Sequence, residues 1–390
     1  MRKGYPHFSV LLYVLAFIVF SGTTRSQSSL SVHGFLTQAY AISSRLPIFG
    51  IDSHGTFDYR ILALQFRYDI NANNVVVIQF NHRRIGKSPL MQVESDVSLD
   101  WAFYEYIFNE NTSFQIGKLL LPFGIYNQIR DVGVLLPLYR APFSVYGEEN
   151  YMGETVDGAM ITHRFPFPLG GELEINLYGG RWGWTEWYVT DNPLTGEDLL
   201  LIGKAQIERG GGIQTWIGPF RNVLKIGYGF HGGHVSGGLS FAENAAFGLG
   251  EQNFSAHAFS FDYQTDRFFS RVELIRYLLH KTRLVAFAHY AQVGVNLSPH
   301  IQGIFQADFF RIYHLPVPPP EQDSPDDTEV NLDYYTDYAL GLKYSFTANI
   351  ILKGEYHWNH GFLYDDGSGG LYENDPAKSN YFILSLATSF

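Results

Sequence analysis

The sequence contains no cysteine among its 390 residues. Disulfide bonds and a lipid-modified cysteine anchor are therefore excluded, and an exported chain would have to draw its stability from the fold alone. Long apolar runs are also missing after residue 26, where no stretch approaches the ~20 apolar residues of a transmembrane helix. Together these absences exclude a disulfide scaffold and a helical membrane protein.

Positive charge is scarce as well. Arg2, Lys3 and Arg25 precede residue 27, which leaves 24 of the 27 basic residues against 38 acidic ones, a net charge of −14. Nucleic-acid binding needs a basic surface, so this balance argues against nucleic acid as a partner. The sequence also lacks a G-x-S-x-G motif and a phosphate-binding glycine loop, so it indicates neither an enzyme nor a cofactor.

The N-terminus has the composition of an export signal. Basic Arg2 and Lys3 precede an apolar run of thirteen residues, 8–20, and small and polar residues follow. The run is too short to span a membrane as a helix. We predict that 1–26 is a signal peptide and that 27–390 is the mature chain, with cleavage near Ser26. An uncleaved membrane anchor is the alternative.

Aromatic residues are abundant, with 26 Tyr and 32 Phe, and apolar and polar residues alternate along much of the chain. Such a period of two is typical of strands with one apolar face. In one example, the apolar residues are Leu62, Leu64, Phe66, Tyr68 and Ile70. In another, Val97, Leu99, Trp101 and Phe103 stand opposite Asp96, Ser98, Asp100 and Ala102. We expect the apolar set of each strand to share one face.

The alternation predicts sixteen strands that are joined alternately by short and by long connections. The strands are expected at 30–42, 56–70, 74–84, 95–108, 113–119, 155–164, 172–180, 205–217, 222–231, 253–264, 268–279, 283–296, 300–312, 333–346, 349–359 and 379–390. The long connections are expected at 43–55, 85–94, 120–154, 181–200, 232–252, 313–332 and 361–378. One further connection on the same side, near 280–283, is short. The glycines at 210–212 make the eighth strand the least regular.

This plan predicts an all-β fold, a 16-stranded antiparallel transmembrane β-barrel with short periplasmic turns and long extracellular loops. A sheet that spans a membrane must close on itself, because every backbone group in hydrocarbon needs an internal partner. The apolar faces would then contact outer-membrane lipid, and the polar faces would line a water-filled channel. A soluble sandwich or propeller is the alternative, but its strands average ~5–6 residues and most of these are longer.

The C-terminal residues, 379–390, form an alternating strand that ends on Phe390. We expect this strand to close the barrel against the first one, around 31–40. The pattern resembles the assembly signal of outer-membrane proteins, and this resemblance implies that Phe390 is recognised by the barrel insertion machinery.

The connection 120–154 is the longest, and connections of such length are usually functional. It follows the fifth strand and carries a run of residues with a recognisable spacing. The run comprises Gly117, Lys118, Pro122, Phe123, Gly124, Tyr126, Asn127, Arg130 and Asp131, followed by Pro142, Ser144, Val145 and Tyr146. It resembles the segment of substrate-selective porins, related to the phosphate-selective family, that leads into the constriction of the pore.

The resemblance implies that 120–154 folds into the barrel as a constriction loop. Selectivity would then reside in Arg130, Asp131, Arg140, Lys118, Tyr126 and Glu148. Arginine offers a fixed charge and a fork of donors to an anion. Alternatively, Arg130 pairs with Asp131 or a wall carboxylate and only fixes the loop, and Tyr126 is a loop-packing residue. Porins of this kind are often homotrimers, so the resemblance also implies a homotrimer.

The predicted lumen wall carries both signs of charge. Basic positions are Arg67, Arg83, Lys225, Arg271, Lys343 and Lys353, and acidic ones are Asp69, Asp100, Asp157, Glu174, Glu273, Asp308, Asp337 and Glu355. Opposed charges favour passive diffusion of small hydrophilic solutes through an outer-membrane porin. A specific channel for phosphate or an organic anion is the first alternative, and a plugged barrel that acts as an enzyme or adhesin is the second.

Two histidine pairs and one Ser–His pair lie close enough in the sequence to suggest other chemistry. The pairs are His231 with His234, His357 with His360, and Ser255 with His257. Neither histidine pair has a visible third and fourth ligand, so the pattern does not predict a metal site. The Ser–His pair lacks a local carboxylate signature, so it does not predict a hydrolase.

Overall fold

The computed structural model describes residues 29–93, 96–147, 151–167, 170–191, 198–220, 223–242, 248–316, 329–366 and 376–390. Sixteen antiparallel strands form a closed barrel in which each strand pairs with its neighbours in sequence and β16 pairs with β1. The prediction of a closed 16-stranded antiparallel barrel is therefore confirmed. The predicted signal peptide lies outside the described residues.

The strands have the following bounds: β1 Ser29–Ser43, β2 Thr56–Asn71, β3 Asn74–Ile85, β4 Ser98–Asn109, β5 Thr112–Leu120, β6 Thr155–Pro166, β7 Glu172–Asp191, β8 Asp198–Phe220, β9 Leu224–Gly237, β10 Gln252–Gln264, β11 Phe268–Leu279, β12 Val285–Asn296, β13 Ile301–Pro316, β14 Glu329–Thr347, β15 Ile350–Gly361 and β16 Ala377–Ser389. Short helical turns lie at Pro89–Gln92, Asn127–Ile129, Phe143–Tyr146 and Gly238–Phe241. No helix in the described ranges is long and apolar enough to cross a membrane.

The two faces of the wall differ as the alternation predicts. Large apolar side chains on the outward face are exposed, for example Leu274 at 50% and Leu340 at 52%. Small, polar and aromatic side chains on the inward face are mostly buried, among them Ala256, Ala288 and Gln292. The barrel therefore carries its exposed apolar side chains on the outside.

The seam between β1 and β16 closes as expected. Phe35 pairs with Ser389, and beyond this pair the amide of Phe390 donates to the carbonyl oxygen of Gly34 at 3.0 Å. The Phe390 ring lies directly over Gly34, since a Cβ built there would be 2.6 Å from Cζ of the ring. A glycine without a side chain is what allows the ring to cover the seam.

The hairpin of β7 and β8 differs from the prediction, because the residues assigned to a long connection at 181–200 continue both strands. Residues 182–191 extend beyond the last pair of β7 with β6, which joins Asp157 to Arg181. Residues 198–204 likewise extend beyond the last pair of β8 with β9, Ala205 with Gly237. Trp182 and Trp184 of this extension are buried, and Trp187 packs against the apolar cluster that contains Tyr59 and Tyr381 at the long-loop end. The hairpin thus leans over the mouth.

A β-bulge reverses the predicted faces of β4. The register shifts between Gln79 and Phe80 of β3, which leaves Asp100 as the extra residue. Leu99 still faces outward, but Trp101 and Phe103 pack inside against Val75 and Val77. The prediction that Trp101 and Phe103 share the outward face with Leu99 was therefore wrong, because a bulge exchanges the faces of the residues that follow it.

The interior is more apolar than a water-filled lumen would be. A large buried cluster connects the segment between β5 and β6 with the inward faces of β6–β14. Its members include Leu121, Phe123, Val145, Met152, Trp182, Phe254, Tyr277, Leu284, Phe310 and Leu332. Apolar packing thus occupies a part of the barrel that the sequence pattern assigned to water.

Candidate functional site

Residues 121–147 and 151–154, between β5 and β6, contact the inward face of the barrel wall; we call them the inner segment. Its backbone amides donate to carboxylates of distant strands: Ile125 to Glu273 at 3.0 Å, Tyr139 to Glu355 at 2.7 Å, and Ser144 to Asp308 at 3.2 Å. The inner segment has little regular structure, so its buried amides need such partners. Wall carboxylates on β11, β13 and β15 hold it inside the barrel.

Two wall lysines bind the carbonyl side of the same backbone. Nζ of Lys353 donates to the carbonyl oxygen of Leu138 at 2.6 Å, and Nζ of Lys343 donates to that of Val134 at 3.4 Å. Lys353 is 1% exposed. Lys343, Lys353 and Glu355 thus face inward, as lumen-wall residues should, but they contact the inner segment and not open space.

Glu273 is the most heavily bonded of these wall residues. Its carboxylate accepts from Ser260 Oγ at 2.5 Å, from Tyr290 OH at 2.7 Å, and from the hydroxyl of Tyr146 in addition to the Ile125 amide. Sequence alternation placed Glu273 on the lumen face, but nothing in the pattern indicated that four donors converge on it.

Tyr126 is anchored in the wall of β11 and β12. Its hydroxyl accepts from Nη1 of Arg271 at 2.7 Å and donates to Oε1 of Gln292. Burial raises the pKa of Tyr126, although the neighbouring guanidinium of Arg271 opposes the shift. These contacts are those of a loop-packing residue.

Several predicted selectivity residues line one cavity. Arg130, Asp131 and Arg140 of the inner segment meet Arg83 of β3 around one small cavity. Nη1 of Arg130 lies 3.4 Å from Oδ1 of Asn127, and among the described residues Arg130 has no ion pair. We call this space the charged cavity.

Three carboxylates adjoin the charged cavity. Asp100, Asp131 and Glu154 each place an oxygen within 4.8 Å of the others, and Nε2 of Gln79 donates to Asp100 at 2.8 Å. Burial raises the pKa of the Glu154 carboxyl far above its usual range, and the charge of Asp131 raises it further. These carboxylates could hold a cation, but Arg130 and Arg83 already provide positive charge beside Glu154.

Arg140 is fixed by aromatic rings from outside the inner segment. Its guanidinium carbon lies 4.6 Å from the ring centre of Phe49, and Nη2 donates to the hydroxyl of Tyr59. Phe49 has a left-handed φ of 53° and also packs on Phe143, with ring centres 4.6 Å apart. The connection 44–55 therefore reaches inward and touches the inner segment, which the sequence did not predict.

A contact at the long-loop end holds the connection 44–55 in this position. The amide of Gly50 donates to Oδ2 of Asp365 at 2.6 Å, and the amide of Asp365 donates to the carbonyl oxygen of Pro47 at 3.0 Å. Burial raises the pKa of the Asp365 carboxyl to about 7. We call residues 44–55 with Asp365 the inner latch.

The remaining predicted residues lie elsewhere. Lys118 shares the outward face with Ile116, and its Nζ donates to the carbonyl oxygen of Leu99 at 2.7 Å, so it does not join the charged cavity. Asp157 also lies on the outward face, opposite Lys118 in the register. Arg67 binds Asp69 at 3.0 Å on the wall. Glu148 lies outside the described residues.

The histidine and Ser–His pairs do not assemble into sites. His231 faces inward and bonds with the hydroxyl of Tyr178 at 2.8 Å, whereas His234 lies on the opposite face. His357 lies between Asp337 and Glu355, at 2.7 Å and 3.2 Å. Ser255 bonds with His280 at 3.1 Å.

Comparison with known proteins gives similarity in fold alone. No family model matches the chain, and no curated protein matches it. A solved structure of OmpF from Salmonella typhi, in complex with daunomycin, is 10% identical with a TM-score of 0.57 and covers 94% of this chain and 99% of its own. OmpT, an outer membrane protein of Vibrio cholerae, is 9% identical with a TM-score of 0.54 over 95% and 100%. An anion-selective porin from Comamonas acidovorans is 10% identical with a TM-score of 0.52 over 93% and 100%.

Proposed function

We propose that this chain is an outer-membrane channel that admits small hydrophilic solutes by passive diffusion, with the inner segment as its constriction. The observation that carries the proposal is the belt of exposed apolar side chains on the outward face of a closed barrel. Such a surface is stable in lipid, and closure leaves no unpaired strand edge there. The similar structures described as porins support the same class.

The charged cavity is the proposed selectivity element. Arg83, Arg130 and Arg140 face Asp100 and Asp131 there, so a passing solute meets both signs of charge. Fixed charges at close quarters bias which ions pass. Because the signs are mixed, we expect weak ion selectivity and not the strong anion preference of a phosphate channel.

Planar-bilayer recording tests the proposal. Purified protein is expected to insert and give discrete conductance steps, with a reversal potential in a salt gradient that indicates weak selectivity. Replacing Arg130 by Ala removes a positive charge that has no ion pair within the described chain, so the anion-to-cation permeability ratio should fall, on the order of threefold. Arg67→Ala is the matched control, since Arg67 is already neutralised by Asp69.

A specific observation favours a second candidate, the plugged barrel. The apolar cluster between the inner segment and β6–β14 occupies much of the interior. If the protein inserts but gives no conductance steps, the channel proposal fails and the plugged barrel is favoured. A strong anion preference that Arg130→Ala abolishes would instead favour the specific anion channel.

Other features of the proposal are an export signal at 1–26, a homotrimer, and recognition of Phe390 by the barrel insertion machinery. A similar structure of OmpT from Vibrio cholerae is described as a trimer form, which supports the proposed oligomer. The proposal involves neither a cofactor nor a nucleic acid.

A further inference from the structure

The outer surface of the barrel carries a concave patch across β8, β9, β10 and β11. Its side chains belong to the outward face. Arg276 is two residues from exposed Leu274 and His257 is two residues from exposed Phe259, and residues two apart in a strand share a face. We call this patch the outer groove. It lies near the ends of the strands that carry the long connections, since β11 ends at Leu279.

The strand register explains why the groove is concave. Gly232 of β9 lies opposite Ser255 of β10, which lies opposite Leu278 of β11, and Gly211 of β8 also lies opposite Gly232. Gly211, Gly232 and Ser255 are small, so this part of the row leaves a depression in the wall.

Basic residues border this depression on two sides. Below it, His257 lies directly opposite Arg276. Above it, His234 lies opposite Asn253, whose carbonyl oxygen accepts the amide of His280 at 3.0 Å. Arg209 completes the lining, which contains no acidic residue.

The two arginines lack partners of their own. Neither Arg209 nor Arg276 forms an ion pair or a side-chain hydrogen bond with any part of the chain that the structure describes. The histidines are held in place: Nδ1 of His257 bonds with the hydroxyl of Tyr228 at 2.9 Å, and Nδ1 of His234 lies 3.2 Å from Asn253. The nearest acid is Glu251, 3.8 Å from Nε2 of His234 and outside the lining.

An unpaired arginine on a lipid-facing surface costs free energy, most at the bilayer midplane and much less near the interface. A phosphate group placed between the two basic rows would remove that cost, because guanidinium and imidazole groups both donate to phosphate oxygens. Exposed Phe230 and half-buried Leu278 at the same site offer apolar contact to an acyl chain.

We propose that the outer groove binds the phosphate-bearing headgroup of a lipid in the outer leaflet. The inference rests on the proposed membrane location, in which the outward face contacts lipid. The groove is open to the side of the barrel and not to its interior, so a membrane lipid can enter it laterally while its acyl chains remain in the bilayer.

Native mass spectrometry of the detergent-solubilised full chain tests the inference. The probes are dioleoyl phosphatidic acid and dioleoyl phosphatidylcholine, which share acyl chains but differ in headgroup. We expect the wild type to retain phosphatidic acid preferentially and the double variant Arg209→Gln with Arg276→Gln to bind it about tenfold more weakly. Arg311→Gln is the matched control, because Arg311 is exposed on β13 but paired with Asp333 at 2.8 Å.

Three outcomes would overturn the inference. They are equal retention of both lipids, equal loss in the Arg311→Gln control, and a change from oligomer to monomer in the double variant, which would assign the groove to a second copy. Displacement of the bound lipid by millimolar inorganic phosphate would support headgroup recognition. The double variant should have the same conductance as the wild type, because the groove does not open into the barrel. A negative lipid result therefore leaves the channel proposal intact. Likewise, a wild-type protein that gives no conductance steps would overturn the channel proposal but not the lipid inference.

Discussion

At the scale of single residues, the mixed charge of the inward face has a structural explanation. Glu355, Asp308 and Glu273 accept backbone amides of the inner segment, and Lys353 donates to one of its carbonyl groups. An irregular segment inside a barrel must satisfy amides and carbonyls alike, so the wall needs acids and bases together. Some of the charged residues that the sequence pattern assigned to the solute path therefore bind the backbone of the inner segment.

Glu273→Gln is expected to loosen the inner segment. The substitution preserves the shape of the side chain but puts an amide donor among the donors of Ser260, Tyr290, Tyr146 and Ile125. An unsatisfied buried group costs about 1–3 kcal/mol, so hydrogen exchange at Ile125 and neighbouring amides should rise by about tenfold or more.

Glu105→Gln is the control for this experiment. Glu105 also lies on the wall, but the side chain of Gln115 is the one hydrogen-bond donor it has among the described side chains, at 3.1 Å. Exchange in the inner segment should match that of the wild type in the control. Unchanged exchange in Glu273→Gln would show that the segment is held by apolar packing alone.

At the scale of elements, the inner segment and the inner latch meet inside the barrel through Arg140 and Phe49. The latch depends on a buried carboxyl, Asp365, whose pKa is raised to about 7. A raised carboxyl pKa means that the docked latch binds the proton more tightly than the undocked one. The proton-linked stabilisation is therefore present below about pH 4 and declines as pH rises towards 7.

We expect the protection factor of the Gly50 amide to fall by about tenfold or more between pH 5 and pH 8. The comparison variant is Asp365→Asn, which keeps an acceptor for the Gly50 amide but cannot ionise. Its protection should not vary with pH in this range. If the variant follows the same pH dependence as the wild type, a group other than Asp365 titrates and the assignment is wrong.

At the scale of the whole molecule, the alternation in the sequence was enough to predict the closed barrel and its sixteen strands. It could not predict the bulge at Asp100, because an extra residue reverses the faces of Trp101 and Phe103 without altering the local pattern. Nor could it show the partners of Glu273 or Arg140, since those contacts join residues far apart in the chain. Of the residues predicted for the constriction, Arg130, Asp131 and Arg140 line the charged cavity and Lys118 does not, and their part in selectivity stays a prediction.

The seam of the barrel provides a prediction at this scale. Gly34→Val would put a side chain where the Phe390 ring lies, so the ring must leave β1 and the variant should unfold at lower urea than the wild type. Gly303→Val is the control, because a Cβ there would have Leu297 at 3.8 Å as its nearest contact. Equal midpoints for both variants would show that the ring adds nothing to closure.

The hairpin of β7 and β8 extends well beyond the neighbouring strands β5 and β6 at the long-loop end. A strand of 20 residues is about 66 Å long at 3.3 Å per residue, more than twice the length of nine-residue β5. A macromolecule that approaches this part of the barrel from the long-loop side, such as an antibody or a viral tail fibre, would therefore touch the ends of β7 and β8 before it reaches the ends of β5 and β6.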